Sequence, residues 1–260
     1  MEFNYNFDNT GNDETVLLLH GFLSDMTSME VVARHLRGHF NILSVDLPGF
    51  GKTPGRGEYT MEDISRSLAG LVESLRLKPV HVIGYSMGGR VAVSFLVNHP
   101  DMVQSAVLES TSPGISDPAE RRKRFQLDCE RAERMSSDYV SFINEWEQMG
   151  LFSTQNSMDK KLQESQRKNR LAQNPEGAAN SLVRYGSGIQ KSYWESLSSI
   201  VTPVLLIAGE KDGKFVSINR EMEKLLQNTQ FEIVPETGHN IHMEAADKFG
   251  IIILEFLIGG

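Results

Sequence analysis

The stretch Gly84-Tyr85-Ser86-Met87-Gly88-Gly89 determines the fold that we predict for this chain. An apolar run at residues 80–83 precedes it, and a helical pattern at residues 90–97 follows it. Glycines allow a tight turn between a buried strand and a helix, and such a turn lifts the serine above the edge of the sheet. A bare G-x-S-x-G match is weak, but this context predicts a nucleophile elbow with Ser86 at its tip.

Short apolar runs and amphipathic patterns alternate on both sides of this turn. Near-continuous apolar runs are typical of parallel strands that are covered on both faces, and they occur at residues 16–19, 42–45, 80–83, 103–108, 203–209 and 231–234. Helical patterns occupy residues 61–75, 90–97, 218–226 and 248–257. The first of these begins with Thr60 as N-cap and Asp63 three positions later. The alternation predicts an α/β fold with a mostly parallel, doubly wound sheet flanked by helices.

Residues 113–193 interrupt this alternation. They are helical, polar and charged, and they contain no convincing strand. We therefore predict a core formed by residues 1–112 and 194–260, with residues 113–193 inserted as a helical cap, or lid.

The charge balance excludes some classes of partner. The 260 residues carry 26 Lys+Arg and 34 Asp+Glu, a net charge of −8, which argues against nucleic acid or an anionic membrane as the main partner. The single cysteine, Cys129, cannot form an internal disulfide, and neither a signal peptide nor a long apolar run is evident. We expect a cytoplasmic protein. Residues 113–193 nevertheless hold 13 Lys+Arg and 11 Asp+Glu, a net charge of +2, against −10 for the remainder.

A serine nucleophile needs a base, and the base needs an orienting acid. Asp212 follows the strand at 203–209 and His239 follows the strand at 231–234, so both lie on loops past the carboxyl ends of strands, where catalytic groups gather in α/β sheets. We predict the triad Ser86, His239 and Asp212, with Glu210 as the competing acid.

The same topology predicts an oxyanion hole. Its two backbone donors should be Met87, which follows the serine, and Phe22, on the loop after the first apolar strand. His20, beside Phe22, is interpreted as structural. No metal site is predicted, because the pair His239 and His242 lacks further ligands, and no G-x-G-x-x-G motif follows the first strand.

Together these residues resemble the α/β-hydrolase superfamily, whose D-x-P-G-x-G-x-S/T loop is similar to residues 46–53. A narrower resemblance links the chain to the MenH family, the 2-succinyl-6-hydroxy-2,4-cyclohexadiene-1-carboxylate synthases of menaquinone biosynthesis. It rests on several blocks that occur in the same order, at residues 84–90, 108–114, 120–124, 151–152, 185–188, 209–215 and 238–244.

The resemblance implies a cofactor-free lyase that eliminates pyruvate from a cyclohexene carboxylate bearing succinyl and enolpyruvyl groups. Ser86 would then act as a base, activated by His239 and Asp212, while the Phe22 and Met87 amides hold an enolate oxygen. Carried over by position, the substrate-binding residues would be Tyr85, Arg90, Arg124, Trp146 and Arg167. In the segment at residues 166–170 a second arginine, Arg170, competes with Arg167. Arginines suit a polycarboxylate substrate because they bind carboxylates in a bidentate manner.

Two other classes of function stay open at this stage. A hydrolase of an ester or carbon–carbon bond would use the same triad with an acylated Ser86. A non-catalytic binding protein is disfavoured because all three triad residues are present. The partner that we expect is a small molecule, and the chain is expected to be a monomer or a weak homo-oligomer.

Overall fold

The computed structural model describes residues 1–259 of the chain. Its strands are β1 (Tyr5–Asp8), β2 (Thr15–Leu19), β3 (Asn41–Val45), β4 (Val80–Tyr85), β5 (Val103–Glu109), β6 (Val204–Gly209) and β7 (Thr229–Val234). They form one sheet in the order β1-β3-β2-β4-β5-β6-β7. Among the strands of residues 1–259, only β1 runs antiparallel to its neighbour, and the other strand pairs are parallel. The predicted fold class is confirmed.

Helices cover both faces of this sheet. Those of the core are α1 (Glu30–Leu36), α2 (Met61–Ser74), α3 (Met87–Asn98), α8 (Gly213–Glu223), α9 (Ile241–Glu244) and α10 (Ala246–Gly259). Side chains alternate along each strand, so Leu17 packs in one buried cluster with α2 and α3, whereas Leu18 packs in the other with α1 and α10. This two-sided burial explains why the parallel strands are apolar throughout.

The structure corrects the prediction at several boundaries. β1 and α1 were not predicted, because β1 is a short edge strand with two exposed residues and α1 spans only seven residues. The predicted helix at 218–226 is α8, which begins at Gly213 and ends at Glu223. The helix after the elbow begins at Met87, directly after Ser86, rather than at residue 90.

The segment between β5 and β6 is helical, as the sequence indicated. It contains α4 (Pro118–Ser137), α5 (Tyr139–Glu147), α6 (Lys160–Ala172) and α7 (Pro175–Tyr185), with short 3₁₀ helices between and after them. Backbones touch where α7 meets the core: a Cβ placed on Gly49, whose φ is +92°, would lie 2.3 Å from the carbonyl oxygen of Gly177. The Tyr185 hydroxyl also donates to the Pro48 carbonyl at 2.8 Å.

Among residues 1–259, no helix is both long enough and apolar enough to cross a membrane.

Candidate active site

Ser86 lies at the tip of a strained turn between β4 and α3. Its φ of 51° and ψ of −105° are unusual for a residue with a side chain and cost about 1–3 kcal/mol. Close packing enforces the turn, because a Cβ on Gly88 would come within 2.2 Å of the Leu19 carbonyl oxygen. The Ser86 amide donates to the Glu109 carbonyl at 2.9 Å. The turn therefore holds the Ser86 hydroxyl at the carboxyl edge of the sheet.

The predicted triad residues are in hydrogen-bond contact. Nε2 of His239 lies 2.9 Å from Oγ of Ser86, and Nδ1 of His239 lies 2.6 Å from Oδ2 of Asp212. Both His239 and Asp212 are buried. Asp212 stands at the N-terminus of α8 but does not cap it, because its carboxylate faces His239 instead. Asp212 thereby orients the imidazole so that the other ring nitrogen can accept the Ser86 proton.

Glu210, the competing acid, is exposed and lies outside this chain of hydrogen bonds. Its carboxylate accepts from the Glu236 amide at 3.0 Å. Glu210 is therefore exposed to solvent, whereas Asp212, two residues later on the same loop, is buried and contacts His239.

The two residues that were predicted to form an oxyanion hole line the same cavity as Ser86. They are Phe22 and Met87, and within residues 1–259 neither amide donates to a protein acceptor. Met87 is the first residue of α3, where the helix dipole favours negative charge. His20 fixes the Phe22 loop: its Nδ1 donates to the Gly21 carbonyl at 2.8 Å and its Nε2 accepts from the Leu47 amide at 2.9 Å. Burial lowers the pKa of His20, so this neutral tautomer is favoured.

The cavity above Ser86 has a volume of about 970 Å³ and lies between the core and the cap helices. Its wall is mainly apolar, with aromatic side chains close to the triad: Phe215 packs 4.8 Å from His239 between ring centroids, and Tyr85 packs at 5.5 Å. Positive side chains outnumber negative ones. The cations that line it are Arg34, Arg90, Arg124, Arg131, Arg170 and Lys214, and the acids are Glu30, Asp117 and Glu120.

Four of the five predicted substrate-binding residues line this cavity: Tyr85, Arg90, Arg124 and Trp146. Arg90 is buried, and its guanidinium meets only neutral acceptors, the Tyr185 carbonyl at 2.9 Å and the Gln190 side chain at 2.5 Å. Burial, together with the nearby Arg124 charge, lowers the pKa of Arg90 to about 10. The Arg124 side chain is paired with buried Asp128 at 2.8 Å.

Arg167, the fifth, does not line the cavity. It binds Glu147 and donates to the Asn144 side chain at 2.6 Å, and its own side chain is 40% exposed. Arg170, one helical turn later, lines the cavity instead. It is paired with Glu147 at 3.0 Å, and its guanidinium lies 5.5 Å from the Phe152 ring centre. Of the two arginines that compete in this segment, Arg170 and not Arg167 lines the cavity.

Further cavity residues were missed in the sequence. Arg131 lies 5.5 Å from the Trp146 ring centre and shares Asp128 with Arg124, and Lys214 lies 5.5 Å from the Phe215 ring. A signal was available for Lys214, which belongs to the block at residues 209–215, but not for Arg131, which is one of several charges on a long polar helix.

Comparison with known proteins agrees with this geometry. The model of the alpha/beta hydrolase fold family matches residues 14–246. A Bacillus subtilis (strain 168) protein, provisionally named 2-succinyl-6-hydroxy-2,4-cyclohexadiene-1-carboxylate synthase, is 39% identical over 249 residues, which is 94% of this chain and 90% of that protein. The synthase of Serratia proteamaculans (strain 568) is 25% identical over 94% of this chain and 92% of its own.

A solved structure extends the likeness to three dimensions. MenH from S. aureus superposes with a TM-score of 0.94 at 33% identity, covering 98% of each chain. The chain therefore belongs to the α/β-hydrolase fold family and, within it, to the MenH-type 2-succinyl-6-hydroxy-2,4-cyclohexadiene-1-carboxylate synthases.

Proposed function

We propose that this protein eliminates pyruvate from 2-succinyl-5-enolpyruvyl-6-hydroxy-3-cyclohexene-1-carboxylate to give 2-succinyl-6-hydroxy-2,4-cyclohexadiene-1-carboxylate, a step of menaquinone biosynthesis. The observation that carries the proposal is one cavity that joins an assembled Ser86–His239–Asp212 chain to a surplus of cations. The names of its relatives supply the product, 2-succinyl-6-hydroxy-2,4-cyclohexadiene-1-carboxylate.

The reaction is a proton abstraction followed by loss of a leaving group. The substrate has its double bond at C3 and the product has double bonds at C2 and C4. A proton therefore leaves C2, the electrons of its bond form the C2–C3 double bond, the C3–C4 double bond shifts to C4–C5, and the C5–O bond breaks. The C2 proton is acidic because the ketone of the succinyl group is attached there. The departing enolpyruvate takes up a proton and becomes pyruvate, so atoms and charge balance.

Ser86 and His239 carry the proton in this scheme. His239 Nε2 accepts the Ser86 hydroxyl proton across 2.9 Å, and the Ser86 oxygen takes the C2 proton. Asp212 stabilises the imidazolium that forms. The same pair can later return a proton to the departing enolpyruvate, and general acid–base catalysis of this kind contributes about 10²–10⁴-fold in rate.

Backbone amides and cations stabilise the charge that develops. In this proposal the amides of Phe22 and Met87, two residues that line the cavity, bind the enolate oxygen of the succinyl ketone, and one such donor is worth about 3–4 kcal/mol. Arg90, Arg124 and Arg170, which line the cavity, would bind the substrate carboxylates, and Tyr85 and Trp146 would pack against the carbon skeleton. Residues 113–193 serve in this proposal as the lid that excludes water.

The direct test supplies the cyclohexene substrate and follows pyruvate with lactate dehydrogenase. We expect wild-type protein to release one pyruvate per substrate, and the Ser86→Ala variant to lose most of that activity. Wild-type protein that releases no pyruvate yet hydrolyses simple esters well would contradict the proposal.

A hydrolase that forms an acyl-enzyme is the second candidate, because the Ser86–His239 hydrogen bond would activate Ser86 equally well as a nucleophile. It predicts labelling of Ser86 by an acylating probe together with turnover of neutral esters. The surplus of cations in the cavity favours the lyase reaction on a polycarboxylate.

The protein acts in this proposal on a small-molecule pathway intermediate, in the cytoplasm, as a monomer or a weak homo-oligomer. Sedimentation of the purified protein at several concentrations tests the oligomeric state.

A further inference from the structure

Lys214 is held in a position that ordinary electrostatics disfavours. It is the second residue of α8, at the helix end that repels positive charge. It lies on the cavity wall with its ammonium 5.5 Å from the Phe215 ring centre. Within residues 1–259, no carboxylate approaches its nitrogen within 4.0 Å.

The surroundings of Lys214 also disfavour its positive charge. Burial and the neighbouring charges of Arg124 and Arg131 lower the pKa of Lys214, and only the charge of Asp212 opposes them. Arg124 and Arg131 already share a single carboxylate, Asp128. This side of the cavity therefore gathers three cations against two buried carboxylates, Asp128, which pairs with the two arginines, and Asp212, which faces His239. Such an arrangement is stabilised when a ligand brings further negative charge.

From this geometry we infer that Lys214 is a further substrate-binding residue, which receives one of the substrate's three carboxylates. The inference rests on the proposed function. The three groups are the ring carboxylate, the end of the succinyl group and the enolpyruvyl carboxylate. Phe215, adjacent to Lys214, packs on His239, so an anion at Lys214 lies beside the triad, and holding it there orients the ring against Ser86.

The test compares Lys214→Met with Lys214→Arg and with Lys211→Met as matched control. Lys211 lies three residues earlier, is exposed and pairs with Glu236 at 2.6 Å. Contacts made equally in the ground state and the transition state change KM rather than kcat. We expect Lys214→Met to raise KM for the cyclohexene substrate at least tenfold with kcat changed by less than threefold. Lys214→Arg should recover most of the loss, and Lys211→Met should match the wild type.

A second readout does not depend on turnover. Calorimetric titration with tricarballylate, a simple tricarboxylate, should give at least tenfold weaker binding to Lys214→Met than to wild-type or Lys211→Met protein. Unchanged KM and unchanged tricarballylate binding in Lys214→Met would overturn the inference, as would a lower kcat at constant KM. Absence of pyruvate release by the wild type would count instead against the proposed function, and the two failures are thus distinguishable.

Discussion

The guanidinium of Arg90, on the helix that follows the elbow, donates to the carbonyl of Tyr185, the last residue of cap helix α7, at 2.9 Å. The same cation lines the cavity and meets no carboxylate within residues 1–259. Arg90 therefore joins core and cap at the place where we propose that substrate binds.

Replacing Arg90 with alanine should reduce kcat/KM for pyruvate release by about 10²–10³-fold, since a buried carboxylate would lose its charged partner, at a cost of about 3 kcal/mol. Arg90→Lys should keep kcat/KM between the values of Arg90→Ala and the wild type, because a lysine lacks the pair of parallel N–H donors with which an arginine binds both oxygens of a carboxylate. Thermal melting of each variant separates lost binding from a loosened cap. Equal kinetics of Arg90→Ala and wild type would remove Arg90 from the site.

The triad variants should separate the roles of its members. Ser86→Ala and His239→Ala should each lower kcat by about 10²–10⁴-fold, and the double variant should lose little more, because residues that act as a unit are not additive. Asp212→Asn should also be impaired, since an amide in place of the carboxylate favours the wrong imidazole tautomer. Steady-state kinetics of the four proteins provides the measurement. Full additivity in the double variant would argue against a shared proton pathway.

Arg170 and Arg167 form a matched pair for testing the cavity. Both bind Glu147, but only Arg170 lines the cavity. We expect Arg170→Ala to lower kcat/KM by about 10²-fold or more, as for a charged hydrogen bond worth about 3 kcal/mol. Arg167→Ala should change it by less than about threefold, because Arg167 does not line the cavity. The reverse order would show that the cap packs differently when substrate binds.

A buried hydrogen-bonded pair, Glu109 and His242, should contribute to the stability of the fold. Both oxygens of Glu109 accept hydrogen bonds from His242, from its backbone amide at 3.0 Å and from Nδ1 at 2.6 Å, and both side chains are buried. Glu109→Ala leaves these donors without an acceptor and should lower the free energy of unfolding by about 2–4 kcal/mol. Glu109→Gln, which keeps one acceptor, should lose less. Urea denaturation gives the values, and an unchanged midpoint for Glu109→Ala would refute this account.

Acid should destabilise the fold through buried histidines. Burial lowers the pKa of His81 below its usual 6.5, and Nδ1 of its buried ring lies 2.8 Å from Ser105 Oγ. The unfolded chain then binds more protons than the folded one as the pH falls below about 6.5. This contribution to stability is complete above that pH and is lost below it.

Melting temperatures between pH 7.5 and pH 5 should therefore fall, and they should fall less steeply for His81→Gln. His39 is exposed, and His39→Gln should follow the wild-type curve. Parallel curves for wild type and His81→Gln would assign the acid sensitivity to another group, such as His20.

How much the sequence can predict depends on where each residue packs. The parallel strands were predictable because both of their faces are buried, so that β2 is apolar throughout. The edge strand β1 was not predictable, because it pairs with one strand and is partly exposed, so its residues need not be apolar. The elbow and the triad residues were predictable because each lies on a loop that directly follows a parallel strand. Such loops all lie at the carboxyl edge of the sheet.

The arginine of α6 shows what the sequence could not decide. Residues 167 and 170 are neighbours on one helix surface, so their spacing favours neither. Packing of α6 against Glu147 and Phe152, which come from other parts of the cap, directs Arg170 into the cavity. Such distant contacts are absent from any local pattern.

The glycine contact between Gly49 and Gly177 bears on how related enzymes can diverge. Main-chain atoms of the two segments meet there without side chains between them, so the packing of α7 on the core allows no side chain at either position. The cap residues that line the cavity can then be substituted one by one while α7 keeps its packing on the core. A chimaera that exchanges residues 113–193 between relatives should accordingly keep the cap packed on the core if both glycines are retained. Its substrate preference should be that of the relative that supplied residues 113–193.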